Sequence, residues 1–186
     1  MERMKKMTTL QAIYTRKSPD KFNAAPIEVS ELRTIVEAGN YAPIFGKIHF
    51  TVITDSEVLS TINNVSLEMM RHSGNAFAEK MANTPGYNAV RHASAFVILS
   101  APGGNDAMGC NMANVSCAAE NMQLAATELG IGSRFMMGPI MSLSQEPINS
   151  KIALPEGYQP LVAVALGHID EDFAERKKDQ NNIRYL

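Results

Sequence analysis

The residues best equipped for chemistry in this sequence are cations near its two ends. Arg16, Lys17, Ser18 and Lys21 surround Pro19 and Asp20 in the stretch TRKSPDKF, and Arg176 and Lys177 lie in the polar tail EDFAERKKDQNNIRYL. An arginine presents a planar fork of donors to a phosphate, and a neighbouring serine hydroxyl adds another donor. The first stretch therefore reads either as an anion site or as a solvated basic turn; the tail reads either as part of such a site or as a charged tail. Between them, Ile131-Gly132-Ser133-Arg134-Phe135-Met136-Met137-Gly138-Pro139 carries glycines that let the backbone approach something closely. The histidines His49, His72, His92 and His168 are scattered, with no metal spacing and no triad signature. Ala101-Pro102-Gly103-Gly104-Asn105 is not a phosphate loop, because no Gly-Lys-Ser/Thr follows, and the Gly-rich dinucleotide fingerprint is missing. This inventory suits chemistry borne by a cofactor, and suits a non-enzyme equally.

The elements that must hold these residues follow from periodicity. In NMANVSCAAENMQLAATELG the apolar positions Val115, Ala118, Ala119, Met122, Ala125, Ala126 and Leu129 repeat at helical spacing. Cys117 and Leu124 add apolar surface on another side, so this helix of about 18 residues is expected to be covered on more than one face. Gly130 ends it. Shorter helices are expected over 8–15, over 31–40 with Ser30 as N-cap and Leu32, Ile35, Val36 and Gly39 inward, over 56–71, and over 75–82. The run 48–54 is β-branched and aromatic, and AFVILS (95–100) and LVAVAL (161–166) are continuous apolar runs that read as strands buried on both faces. Ser142-Leu143-Ser144-Gln145 matches a capping box and predicts a short helix after it.

Composition excludes several classes. A chain of 186 residues with 45% hydrophobic and 19% charged residues suits one globular domain spanning 1–186. A net charge of −2 leaves no electrostatic footprint for nucleic acid or an anionic membrane. No apolar run reaches the ~20 residues of a membrane span. The two cysteines, Cys110 and Cys117, read as reduced thiols of a cytoplasmic protein, with Cys117 in the core. Twelve methionines without a tryptophan point either to a loosely specified core or to an adaptable apolar pocket.

The run ENMQLAATELGIGSRFMMG resembles the central helix and following loop of the nitroreductase family of flavin enzymes. TRKSPDKF resembles that family's N-terminal Arg-Arg-Ser-x-Arg-x-Phe motif. The resemblance implies an α+β fold: a mostly antiparallel sheet of four or five strands flanked by helices, built as an intertwined homodimer around the central helix. It also implies FMN as cofactor, NAD(P)H as reductant, and a small electrophile such as a nitro compound or quinone as substrate. Arg16 and Ser18 would contact the FMN phosphate and ribityl chain, with Lys17 in place of the second Arg. Asp20 stands where the family has a cation near the pyrimidine edge. After Ala42-Pro43, Ile44 replaces the family's Ser and the usual Asn or Gln is missing, leaving Phe45, Gly46 and Lys47 as candidates for flavin or substrate contact. Met137 and Gly138 would approach the N5 side of the ring, and Arg176 and Lys177 would reach the phosphate. The region 72–91 would cover the exposed flavin face. The Asp20 and loop departures leave open an alternative, a flavin-binding or ligand-sensing dimer of the same fold with little turnover.

Overall fold

The computed structural model describes residues 7–104, 106, 109–178 and 182–185. Strands His49–Ile53 (β1), Ala95–Pro102 (β2), Gly132–Met136 (β3) and Tyr158–Gly167 (β4) form one sheet in the order β1-β2-β4-β3. All neighbouring strands are antiparallel. The mostly antiparallel sheet expected with four or five strands therefore forms, with four among the described residues.

Strand alternation divides the core into two layers. Val97 and Leu99 of β2 and Val164 and Leu166 of β4 enter the layer beneath helices Val29–Asn40 (α2) and Cys110–Glu128 (α5). Phe96 and Ile98 of β2 and Ala163 and Ala165 of β4 enter the other layer. There they meet helices Ser56–Arg71 (α3) and Ile148–Ile152 (α6) and the 3-10 helix Gly138–Ser144. Both faces being covered explains why AFVILS and LVAVAL lack polar alternation. The ladder extends both strands past those runs, pairing Ala101 with Gln159 and Pro102 with Tyr158.

Helices Thr9–Thr15 (α1), α3 and Ala76–Ala82 (α4) each begin at a side-chain cap: Thr8, Asp55 and Asn75. Asp55 Oδ1 accepts from the amides of Glu57 (2.8 Å) and Val58 (3.0 Å). Helix α2 departs from expectation at its start. Its N-cap is Glu28, whose amide donates to the Glu31 carboxylate at 3.3 Å, so Ser30 lies inside the first turn. Helix α5 behaves as expected along Val115, Ala118, Ala119, Met122 and Ala126, all fully buried. Cys117, expected in the core, is instead exposed in the single chain. The reason is geometric: a helix apolar on several sides cannot reveal from its pattern which side the sheet takes. Among the described residues no helix is long and apolar enough to cross a membrane.

Candidate functional site

Phe22 positions the N-terminal basic stretch. Its side chain is buried against two paired glycines, the last residue of β4 and the first of β3: a Cβ on Gly167 would lie 2.7 Å from Phe22 Cβ, and one on Gly132 would lie 3.2 Å from Phe22 Cε1. The close approach permitted by the glycine in Ile131-Gly132-Ser133 is thus to Ile169, the Gly167 carbonyl and Phe22. The backbone is tied on both sides, Phe22 N donating to Arg91 O (2.9 Å) and Asn23 N to His168 O (3.0 Å). These contacts lay residues 16–20 over the β3 edge.

There the cations converge. Arg16 Nη1 donates to Ser18 Oγ at 3.1 Å and its Nε meets the Glu120 carboxylate of α5 at 3.3 Å. Lys17 pairs with Glu171 at 3.0 Å. The tail returns to the same place: the Arg176 amide donates to Tyr14 O (3.2 Å) and its Nη2 to Ile13 O (3.3 Å). A cation at these carbonyls also suits the negative end of the α1 dipole. Arg176 is therefore brought to the C-terminal end of α1, the end from which Arg16 and Ser18 follow. Lys17 stands beside them, and Lys177 follows on the exposed tail.

Asp20 does not stand alone in solvent. Its Oδ1 accepts from Arg134 Nη1 at 2.8 Å, and the same nitrogen reaches the carbonyls of Ser18 (3.2 Å) and Pro19 (2.9 Å). Arg134 projects from β3 and also lines a cavity of about 900 Å3. It therefore joins the basic loop to that cavity. The remaining wall comes from α3, α4, the 87–91 segment and the turn after β3, and includes Met137 and Gly138. A Cβ built on Gly138 would meet nothing within 4 Å, so the space beside this backbone is open. Met69, Met70, Met81, Met136, Met137 and Met141 all line the cavity, half of the twelve methionines in the sequence. On the α3 side His72, a lining residue, bonds the Glu68 carboxylate at 3.0 Å. The Arg71 guanidinium, and then His72, hold that carboxyl below its usual pKa.

The turn after β3 is pinned through a buried hydroxyl pair. Ser142 Oγ donates to Pro139 O (2.6 Å), so it must accept the proton of Ser66 Oγ, 2.8 Å away on α3. The Ser142 capping box expected from sequence does not form: the 3-10 helix ends there and α6 starts at Ile148 with Pro147 as N-cap. The hydroxyl was taken by a tertiary partner. Ser142→Ala strands the Ser66 hydroxyl and should cost about 1–3 kcal/mol, read as a lower urea midpoint with an unchanged slope.

The 45–47 loop lies elsewhere. Asn114 of α5 clamps it, its Oδ1 accepting from Phe45 N (3.0 Å) and its Nδ2 donating to Phe45 O (2.7 Å). Phe45 is 70% exposed, and Phe45, Gly46 and Lys47 are not among the residues lining the cavity. One chain thus unites Arg16, Lys17, Ser18, Asp20 and Arg176, joins them through Arg134 to Met137 and Gly138, and leaves the 45–47 loop apart. Among the described residues no cluster of His, Cys, Asp or Glu could hold a metal ion.

The model of the nitroreductase family matches residues 13–168 of this sequence. The chain belongs to the nitroreductase family. Among similar structures, a nitroreductase with bound FMN from Bacteroides fragilis is 25% identical, with a TM-score of 0.84 over 97% of this chain and 99% of its own. A nitroreductase with bound FMN from Desulfitobacterium hafniense shares the fold at 20% identity and a TM-score of 0.86, over 97% and 99% of the two chains. An NADPH-flavin oxidoreductase of Vibrio harveyi is 27% identical over 177 residues, 88% of this chain and 67% of that protein.

Sequence reasoning about this nitroreductase-family chain missed Arg134, Arg91 and Asn114. Arg134 carried a signal, a lone cation inside an otherwise apolar strand segment. Asn114 carried one too, a polar residue four positions before Ala118 and hence on the buried side of α5. Nothing local distinguished Arg91.

Proposed function

We propose that this chain is an FMN-dependent NAD(P)H oxidoreductase that works as a homodimer and reduces a small, largely apolar electrophile such as a nitroaromatic compound or a quinone. The observation that carries this is Arg134, which links an anion-binding loop to an open, methionine-lined cavity. A cofactor with a phosphate at one end and a flat apolar ring at the other needs that arrangement. Arg16, Ser18 and Arg176 would hold the phosphate, with Lys17 beside them, and Met137 and Gly138 would border the ring. FMN supplies the electron relay. The protein binds it, fixes its orientation, and gives the acceptor a dry surface. With a nitro acceptor the balance is one NAD(P)H and one proton consumed, the nitroso compound, water and NAD(P)+ formed.

The dimer is proposed from exposed apolar surface. Leu10, Ile13 and Tyr14 of α1 are 59%, 40% and 51% exposed, and Met112 and Cys117 of α5, the helix against which α1 packs, are exposed as well. Apolar surface of this extent is costly in water. A second copy would cover it, and would bring its own 45–47 loop toward the cofactor, which the loop of the same chain does not reach.

Two measurements test this reading. Sedimentation should give a dimer at micromolar concentration for the wild type and a folded monomer for Cys117→Asp, whose side chain is already solvent-facing in one chain; a stable wild-type monomer contradicts it. Steady-state assays should show NAD(P)H oxidation that depends on added quinone or nitroaromatic. Bound FMN without such turnover would instead favour the ligand-sensing alternative.

A further inference from the structure

The cavity is unbalanced in charge. Its lining contains Arg91 and Arg134 but, among the described residues, no Asp or Glu. Arg134 is offset by Asp20 and two carbonyls. Arg91 is not. Its Nε is buried with no hydrogen-bond partner, and its guanidinium lies 4.7 Å above the Tyr87 ring. The aromatic face holds the cation in place without neutralising it. An uncompensated cation in an apolar wall is costly.

The backbone beneath Arg91 makes the arrangement deliberate in a physical sense. Arg91 and His92 adopt φ of 62° and 58°, the left-handed region that side chains other than glycine rarely enter. The surroundings enforce it: Asn88 Oδ1 accepts from Val90 N (3.0 Å) and His92 N (3.1 Å), Asn63 Oδ1 accepts from Ala89 N (2.8 Å), and Arg91 O accepts from Phe22 N. A strained turn fastened at four points aims a cation into the pocket.

We infer that this cavity takes an aromatic electron acceptor carrying an anionic substituent, a carboxylate in the simplest case, and that Arg91 selects for it. This rests on the proposed reading of the cavity as the acceptor site of an FMN enzyme. Methionines and Phe135 provide an adaptable surface for the ring, and Arg91 provides the planar donor fork for the carboxylate. The substituent is untouched by the reaction; the nitro group elsewhere on the ring receives two electrons and two protons, one proton arriving with the hydride equivalent of NAD(P)H and one from solvent, and loses one oxygen as water.

The test uses the FMN-loaded wild-type protein with 4-nitrobenzoate and its neutral isostere 4-nitrobenzamide, and calorimetric titration of the non-reducible pair benzoate and benzamide. The wild type should favour the carboxylate about tenfold in KM and in binding. Arg91→Gln should collapse both ratios to about one, and Arg91→Lys should restore part of the preference. Equal treatment of the two analogues by the wild type overturns the inference, whatever the variants do. So does an Arg91→Gln variant whose FMN affinity or nicotinamide KM changes while the acceptor ratio stays. Failure of the wild type to take up FMN would instead overturn the underlying reading, and this inference with it.

Discussion

Arg16→Ala is expected to weaken FMN binding about 10- to 150-fold. A charge-assisted hydrogen bond to phosphate contributes roughly 1.5–3 kcal/mol, and about 1.4 kcal/mol corresponds to a factor of ten. The structure adds a control. Arg16 shares its charge with the Glu120 carboxylate at 3.3 Å, so an incoming phosphate must compete with that partner. Glu120→Gln should therefore tighten FMN binding, and the gain should vanish in the Arg16→Ala background. Riboflavin, which lacks the phosphate, should bind wild type and Arg16→Ala equally. Fluorescence titration of the apo forms reads all of these. An unchanged FMN affinity in Arg16→Ala removes this residue from the site.

Arg134→Gln should lower the two-electron potential of bound FMN by tens of millivolts, and Asp20→Asn should raise it. Read from the sequence, Asp20 either opposes charge on the reduced cofactor or points to solvent while Lys21 or Lys47 supplies the cation. The geometry adds a further candidate cation, Arg134. Arg134 holds the Asp20 carboxylate at 2.8 Å and lines the cavity itself, so in the proposed site it would supply the positive charge that position 20 lacks. Two unit charges ~6 Å apart interact by about 3 kcal/mol at an effective dielectric of 20. Partial cancellation by Asp20 and access of water reduce this, and ~30 mV corresponds to 1.4 kcal/mol for two electrons. Lys21 and Lys47 are both exposed, and Lys47 sits on the loop clamped by Asn114. Their alanine variants should leave the potential where it is. Spectroelectrochemical titration separates the cases: a shift in Lys21→Ala with none in Arg134→Gln would assign the cation to Lys21.

The elements whose ends are set locally were legible. Helix α3 falls on 56–71 as expected because the Asp55 cap and the helical apolar spacing agree. The buried strands were legible because continuous apolar runs of six residues leave few alternatives. Local reasoning failed in two ways: at the start of α2 one local cap displaced another, Glu31 serving the Glu28 amide where Ser30 was expected to cap, and at Ser142 a tertiary partner intervened, the hydroxyl turning to Pro139 and Ser66. In the proposed site, the pairing of Arg16 with Ser18 could be read because they lie two residues apart. The pairing of Asp20 with Arg134 could not, since the two are joined only when Phe22 seats against Gly132 and Gly167. The methionines showed the same divide. Their number hinted at a pocket, but only the fold gathers Met69, Met81 and Met137 onto one wall.

The claim on which the rest depends is that this chain binds FMN and passes electrons through it. Its most direct test is the absorption spectrum of the purified, FMN-reconstituted and desalted protein, recorded anaerobically before and after NADPH or NADH. Retained flavin bands at about one FMN per chain, bleached on addition of nicotinamide and restored by a quinone, are the predicted result. A colourless protein after desalting, or a flavin band that neither nicotinamide bleaches, would contradict it.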